Sequence, residues 1–272
     1  MLPDTMSDSK ATASQPNELG WQTPGDGSVA CGGGRPVGCT FAAGQIAGRL
    51  DLRCPAQGVE LSAAGTAANV LAVRLPPGTA SHVDSWVRGR SAVAIHEPAD
   101  SRRLRVACQW QVRQDPAAVT LELVLSTQTA ATRSDGALAV DGRLAATEAL
   151  IGITSGRQID WIEPAAGSGR VDLPWQTLPA TAAVCLLFRG SIGGKSLAMV
   201  VRRDEARQFF LWRQPAEAAA PFAVTGWFFP TLIEKGVLHR GRFQVSVGEA
   251  AADREWAAAA ASRLSCEPPL LR

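Results

Sequence analysis

Arg103-Leu-Arg-Val-Ala-Cys-Gln-Trp-Gln-Val-Arg113 alternates over eleven residues. Leu104, Val106, Cys108, Trp110 and Val112 fall on one side, and Arg103, Arg105, Gln109, Gln111 and Arg113 on the other. Successive side chains of extended backbone point to opposite faces, so a period of two marks a strand. One apolar and one polar face mark a sheet that is buried on one side and wet on the other.

The same signal recurs outward from this stretch. Asn69-Val-Leu-Ala-Val-Arg-Leu75 runs into Pro76-Pro77-Gly78, a strong stop. Val83-Asp-Ser-Trp-Val-Arg-Gly89 alternates, and Ser91-Ala-Val-Ala-Ile95 follows across a short Gly-Arg turn. Val119 to Thr127 and Gly236 to Val247 are also β-rich. Closely spaced strands broken by Gly and Pro predict an all-β fold, a large antiparallel β-sandwich of the supersandwich kind. One helix is predicted near the end. Glu249 to Ser262 is alanine-rich, has acids in its first turns and stops before Pro268-Pro269. Trp256 is expected to dock it onto a sheet. Residues 1–34, rich in Ser, Pro, Gly and Asp, read as a disordered tail, and residues 35–272 as a single β-sandwich domain.

Composition narrows the function classes. A chain of 272 residues that is 46% apolar can bury a large core. Its net charge of +2 is too small to imply nucleic acid or an anionic membrane through bulk electrostatics. Of 27 basic residues only Lys10, Lys195 and Lys235 are lysine, and tyrosine is absent beside eight tryptophans. We read this as the codon bias of a GC-rich genome. The first residues carry acids and no apolar signal region, and no run approaches the ~20 apolar residues of a membrane span. A cytoplasmic location is therefore expected. The cysteines at 31, 39, 54, 108, 185 and 266 form no Cys-x-x-Cys pair. They read as free thiols, although Cys31, Cys39 and Cys54 could meet in space. No metal or cofactor is predicted.

Cys185-Leu-Leu-Phe-Arg-Gly-Ser-Ile-Gly-Gly-Lys-Ser196 ends like a phosphate-binding loop. Such a loop needs Gly-x-x-x-x-Gly-Lys-Ser/Thr between a strand and a helix. Here Arg189 occupies the first glycine position, and Gly190 comes one place late. The residues after it, Leu197 to Val201, have strand rather than helix period. The stretch therefore predicts two strands around a glycine hairpin, not a nucleotide site.

The three histidines are His82, His96 and His239. Histidine is the usual proton-transfer residue near neutral pH, so each is weighed. His96 and Glu97 are strand neighbours pointing opposite ways, whereas a cross-chain pair such as His239 with Glu97 is geometrically free. The default for each histidine is a strand-end position satisfied by solvent. Gly226 to Arg242 is the most distinctive segment. There Trp227, or Trp212 upstream, could act as a stacking platform, with Glu234, Arg240 and Arg242 as polar tips. Sugars offer apolar ring faces and many hydroxyls, so aromatic platforms flanked by charged groups suit them.

Two stretches carry a family resemblance: Val83 to Pro98 leading into Gln109-Trp-Gln-Val112, and Phe229-Pro-Thr-Leu-Ile-Glu-Lys-Gly-Val-Leu-His-Arg-Gly-Arg242 with the helix beyond it. Together they resemble an uncharacterised family of bacterial β-rich proteins with a "VRG…L…Y-E-P" segment and an "LEKGVIRRAR"-like segment. The likeness covers roughly residues 80 to 270. Such proteins look similar in turn to β-sandwiches of the galactose-mutarotase-like kind, a fold found in sugar epimerases and polysaccharide-active enzymes. Mutarotases use a histidine acid and a glutamate base, which implies His96, His239, Glu97 and Glu234 as candidates here. None aligns onto those roles: His96 stands where the pattern has an aromatic, and His239 where it has a basic residue. The reading favoured is a non-catalytic binding or structural protein with a carbohydrate-like ligand. An epimerase using a His/Glu pair is the alternative. A protein–protein interaction module, with a protein partner or a homodimer, is the third class.

Overall fold

The computed structural model describes residues 19–23, 38–75, 80–98, 103–156, 158–164, 167–215, 221–229 and 231–270. Among the described residues the strands in chain order begin with β1 (Gly38–Ala43), β2 (Ile46–Asp51), β3 (Val59–Ala63), β4 (Thr66–Arg74), β5 (Ala80–Arg88) and β6 (Ser91–Pro98). They continue with β7 (Leu104–Gln114), β8 (Ala118–Thr129), β9 (Arg133–Asp135), β10 (Leu138–Leu144), β11 (Glu148–Ser155), β12 (Gln158–Ile162) and β13 (Gly169–Val171). The last are β14 (Ala183–Ile192), β15 (Lys195–Arg202), β16 (Ala206–Arg213), β17 (Phe222–Phe228), β18 (Leu232–Glu234) and β19 (His239–Gly248), before helix α1 (Asp253–Cys266).

These strands form an eight-stranded sheet, β1-β2-β3-β4-β10-β17-β16-β13, and a nine-stranded sheet, β12-β11-β14-β15-β19-β8-β7-β6-β5. A ribbon of β18 and β9 stands apart from both. All the pairings are antiparallel. The fold is the expected all-β sandwich with a C-terminal helix. The alternation of β7 supplies its inner layer: Leu104, Val106, Cys108, Trp110 and Val112 are buried, and they share one core with Phe41, Leu50, Leu61, Val73, Val140 and Val224 of the eight-stranded sheet. Each large aliphatic side chain sealed this way contributes about 1.5–3 kcal/mol.

The expected tail is tied down in one place. Trp21 is buried, its ring meets Phe41 edge-on at 5.0 Å, and its Nε1 donates to the Trp110 carbonyl at 3.1 Å. The Trp21 amide donates to the Gly89 carbonyl at 2.9 Å, and Gln22 bridges to Thr40. The apolar area of one tryptophan offsets the entropy of ordering these few residues. The rest of the expected tail, 1–18 and 24–34, lies outside the described residues, and Cys31 with it.

The suspected phosphate loop is a hairpin. Ile192 pairs with Lys195 around Gly193 and Gly194, whose φ values of 57° and 78° suit a tight turn with left-handed central residues. Its long apolar approach has a separate cause. Val184, Leu186 and Phe188 of β14 face the main core, while Ala183, Cys185 and Leu187 face Trp256, Ala257, Ala261 and Leu264 of α1. A strand covered on both faces cannot alternate, so the sequence there reads as one apolar run.

The GKS residues fasten this helix. Ser196 Oγ donates to Asp253 Oδ2 at 2.8 Å. Arg189 clamps the same carboxylate through Nε at 2.8 Å and Nη2 at 3.0 Å, and reaches Glu148 at 3.1 Å. Lys195 pairs with Glu249. Burial alone would raise the pKa of Asp253, but the hydrogen bonds from Arg189 and Ser196 outweigh it and hold the carboxyl below its ordinary value. Gly248 completes the fit, since a Cβ there would lie 2.8 Å from the Trp256 ring and 2.6 Å from the Ala117 carbonyl oxygen.

Asp253→Ala leaves Arg189 half-buried without its main partner, and the expected loss is about 3 kcal/mol of unfolding free energy in urea titrations. Lys195→Ala removes a pair whose acid is exposed and is expected to cost less than about 1 kcal/mol. Any shift of the thermal midpoint by ATP with magnesium is expected to be the same in wild type and in Lys195→Ala.

Candidate functional site

The outer face of the nine-stranded sheet is partly closed by α1, whereas the outer face of the eight-stranded sheet carries an ordered array of polar and aromatic side chains. Strand register lines them up in rows. Arg49 of β2 pairs with Glu60 of β3, Glu60 with Asn69 of β4, and Asn69 with Arg143 of β10. The row continues through Ala223 of β17 to Trp212 of β16 and Arg170 of β13. A second row runs Ala72, Asp141, Thr225, Phe210, and a third Arg74, Ala139, Trp227, Gln208. With strands about 4.8 Å apart, the five steps from Arg49 to Trp212 span about 24 Å.

The rows are cross-linked. Asp141 accepts from Arg74 at 2.6 Å and 3.1 Å and from the Thr225 hydroxyl at 2.7 Å. The Arg74 guanidinium lies 5.9 Å from the Trp227 ring centroid, and Arg170 lies 5.5 Å from that of Phe210. At the β2–β10 end the face sinks into a cavity of about 550 Å³ lined by Arg49, Asp51, Glu60, Asn69, Asp141 and Arg143, among others. At the other end Trp212 is 40% exposed.

A bulge shapes the cavity. Between Asn69 and Ala72, β4 carries one more residue than β10 carries between Arg143 and Asp141. The extra residue, Leu71, takes a left-handed backbone with φ 56° while its side chain is buried. Leucine holds that conformation at a cost of order 1 kcal/mol, tolerated where the surroundings enforce it. The bulge keeps Asn69 and Ala72 on the same outer face although three positions separate them, so the cavity wall stays polar. Gly58 makes the close approach possible: a Cβ there would lie 2.3 Å from the Val70 carbonyl oxygen.

The residues named from sequence are dispersed over the molecule. Trp212 and Trp227 stand on the array. Glu234 lies on the β9–β18 ribbon opposite Arg133. His239 and Arg240 border a second cavity, beside Phe229 and Glu205. Arg242 is not an exposed tip. It is buried beneath the segment after α1, bonded to Glu205 through Nη2 at 2.6 Å and Nε at 3.0 Å, paired with Glu267, and donating to the Pro268 carbonyl at 3.1 Å. Cys39 is buried, its thiol pushed up to about 12 by burial and then by Asp51, while Cys54 is exposed.

Glu97 and His239, named as a cross-chain acid–base pair, do not meet. Glu97 sits on the outer side of β6 with Arg105 at 3.4 Å. His239 lies three strands away, about 14 Å. His96 is neither solvated nor within reach of a ligand. It is fully buried, 5.6 Å from His82 across the strand pair, and neither ring nitrogen has a side-chain or backbone hydrogen bond of normal geometry. Burial first and the neighbouring His82 second push its pKa down to about 4, with the Leu52 backbone acting in the opposite direction. What sequence reasoning missed is the polar half of the array: Arg49, Glu60, Asn69, Asp141 and Arg143 each sit at outward positions of their own strands, but only register brings them together.

No protein-family model matches the sequence, and no curated protein sequence matches it. Similar solved structures include a candidate aldose 1-epimerase from Escherichia coli K12, at 11% identity over 77% of this chain and 98% of that one, with a TM-score of 0.44. The Slr1438 protein from Synechocystis sp. PCC 6803 matches at 9% identity over 81% and 99%, with a TM-score of 0.45. A candidate aldose 1-epimerase from Klebsiella pneumoniae matches at 7% over 86% and 87%, with a TM-score of 0.42. At these scores the likeness assigns no residue a role, and the site is read from its own side chains.

A buried neutral histidine makes stability depend on pH. The folded pKa of His96 lies below its unfolded value, so its contribution is whole above about pH 6.5 and is lost as pH falls toward 4. The loss expected across that window is roughly 3 kcal/mol, read from urea midpoints at stepped pH. His96→Leu is expected to flatten the dependence.

Proposed function

We propose that the protein binds an extended carbohydrate on the outer face of the eight-stranded sheet and does no chemistry on it. The observation that carries this reading is the three-row array, in which Trp212, Phe210 and Trp227 adjoin Asp141, Arg143, Asn69 and Glu60 along one open face. Aromatic faces can stack on the apolar sides of sugar rings, while the charged and amide groups exchange hydrogen bonds with hydroxyls. A span of about 24 Å suits several linked rings better than one. Cross-linking by Arg74, Asp141 and Thr225 fixes the central side chains before a ligand arrives, which lowers the entropy cost of binding.

The lining supports the non-catalytic reading over a histidine-based epimerase. No histidine is among the side chains of the array or its cavity. His239 does share the second cavity with Glu205, but that carboxylate already accepts from the Arg242 backbone amide at 2.7 Å as well as from its guanidinium. Those donors already occupy the lone pairs a substrate hydroxyl would need. The interaction-module reading has less support, because the exposed large apolar side chains Val83, Trp86, Ile162, Trp212, Leu232, Val237 and Leu238 are spread over β5, β12, β16 and the β18–β19 segment, and only the last three lie close together in the chain.

Calorimetric titration with linear oligosaccharides of increasing length is expected to show affinity rising with chain length. Trp227→Ala and Arg143→Ala should each weaken it about tenfold, the loss of one aromatic or charged contact. Polarimetry on aldoses is expected to show no acceleration of mutarotation. A rate above the uncatalysed one that disappears in His239→Asn would replace this reading with the epimerase one.

A further inference from the structure

The second cavity, of about 700 Å³, lies where the β15–β16 turn, the end of β17 and the start of β19 meet, and it shares no lining residue with the first. Its charges are uneven. Two carboxylates line it, and both are neutralised from outside: Asp204 by Arg202, through bonds of 2.7 Å and 2.9 Å, and Glu205 by Arg242 at 2.6 Å. The three arginines that line it, Arg203, Arg207 and Arg240, come from three separate elements and have no carboxylate partner among the described residues. Arg203 is fixed in place: its Nε donates to the Trp175 carbonyl at 2.8 Å and its guanidinium lies 5.6 Å from the Trp175 ring. That arrangement leaves its two Nη groups as donors. Phe229, also in the wall, is buried and held at φ 51°, a left-handed backbone unusual for a bulky residue at a cavity edge. His239 borders the same space, its ring 5.9 Å from that of Phe229.

We infer that this cavity is a binding site for a small dianionic phosphate ester, separate from the carbohydrate face and independent of that reading. Three arginines lining one cavity, with the neighbouring acids already paired, leave an excess of positive charge there that an anion would neutralise. A planar carboxylate is satisfied by one guanidinium fork. A tetrahedral phosphate presents three acceptor oxygens in different directions, and so can be held by arginines arriving from different strands and turns. The fixed Arg203 supplies a preorganised donor, and the exposed Arg207 and Arg240 can close on the ligand.

The test titrates wild-type protein with inorganic phosphate and with phenyl phosphate, against chloride at matched ionic strength, following heat and thermal midpoint. Saturable binding of both phosphates is expected, weakened at least about tenfold in Arg207→Ala and in Arg240→Ala, as for loss of one charge-assisted contact. Both arginines are exposed, so the variants should keep the wild-type circular dichroism. Trp227→Ala should bind phosphate as wild type does, which separates this site from the sugar face. Absence of saturable binding beyond the chloride control, or undiminished binding in the Arg207→Ala/Arg240→Ala double variant, would overturn the proposal.

Discussion

Strands β14 and β15 are covered on both faces, by the sandwich core on one side and by α1 on the other, and the rest of the arrangement follows from that cover. The helix is short and alanine-rich, so much of its contact comes from close approach: Ala257 and Ala261, with Trp256 and Leu264, share one buried cluster with Cys185, Leu187 and Val200. Close approach needs the helix start held in register. Asp253, buried in the first turn, receives both Arg189 and Ser196 and provides that hold. A buried carboxylate with a bidentate arginine is costly to desolvate and costly to break, so it specifies position more than it adds net stability.

With one outer face partly roofed, the outer face of the eight-stranded sheet is the more open of the two. On the eight-stranded sheet the strand period sends Leu50, Leu61, Val73 and Val224 inward and leaves Arg49, Glu60, Arg74 and Thr225 outward. The outward set is not a random solvated surface. Opposite charges stand beside one another across strands, Arg74 bridges Asp141 and the Trp227 ring, and the Leu71 bulge lets β4 meet β10 without turning its polar residues inward. Exposed ion pairs of this kind add little to stability, about 0–1 kcal/mol each. Their organisation, together with a strained leucine that packing must enforce, is what the proposed recognition role rests on.

Much of the fold was legible in the residues. The alternation of Leu104 to Val112 marked a one-sided strand, and the displaced glycine before Lys195 marked a hairpin. The alanine run after Glu249 marked the helix. What could not be read was anything set by long-range register. Trp212 and Trp227 were visible as aromatic platforms, but their polar neighbours lie up to about 160 residues earlier in the chain. Arg240 and Arg242 have the same parity on one strand and look equivalent in sequence. Glu205 beside Arg242, and Glu267 and Pro268 passing over it, make one a buried ion pair and leave the other open. His96 likewise has a polar identity, but its strand parity places it among Ala92 and Ala94 in the core, where a histidine stays neutral.

The carbohydrate is proposed to lie on one face of one sheet. The eight tryptophans give a direct readout, since each indole N–H has its own resonance and the rings are distributed through the whole molecule. On titration with a linear oligosaccharide, the indole signals of Trp212 and Trp227 should shift together, while those of the buried Trp21, Trp110, Trp175 and Trp256 stay in place. Shifts confined to Trp86 or Trp161, on the nine-stranded sheet, would contradict it, as would no shift at any indole at saturating ligand.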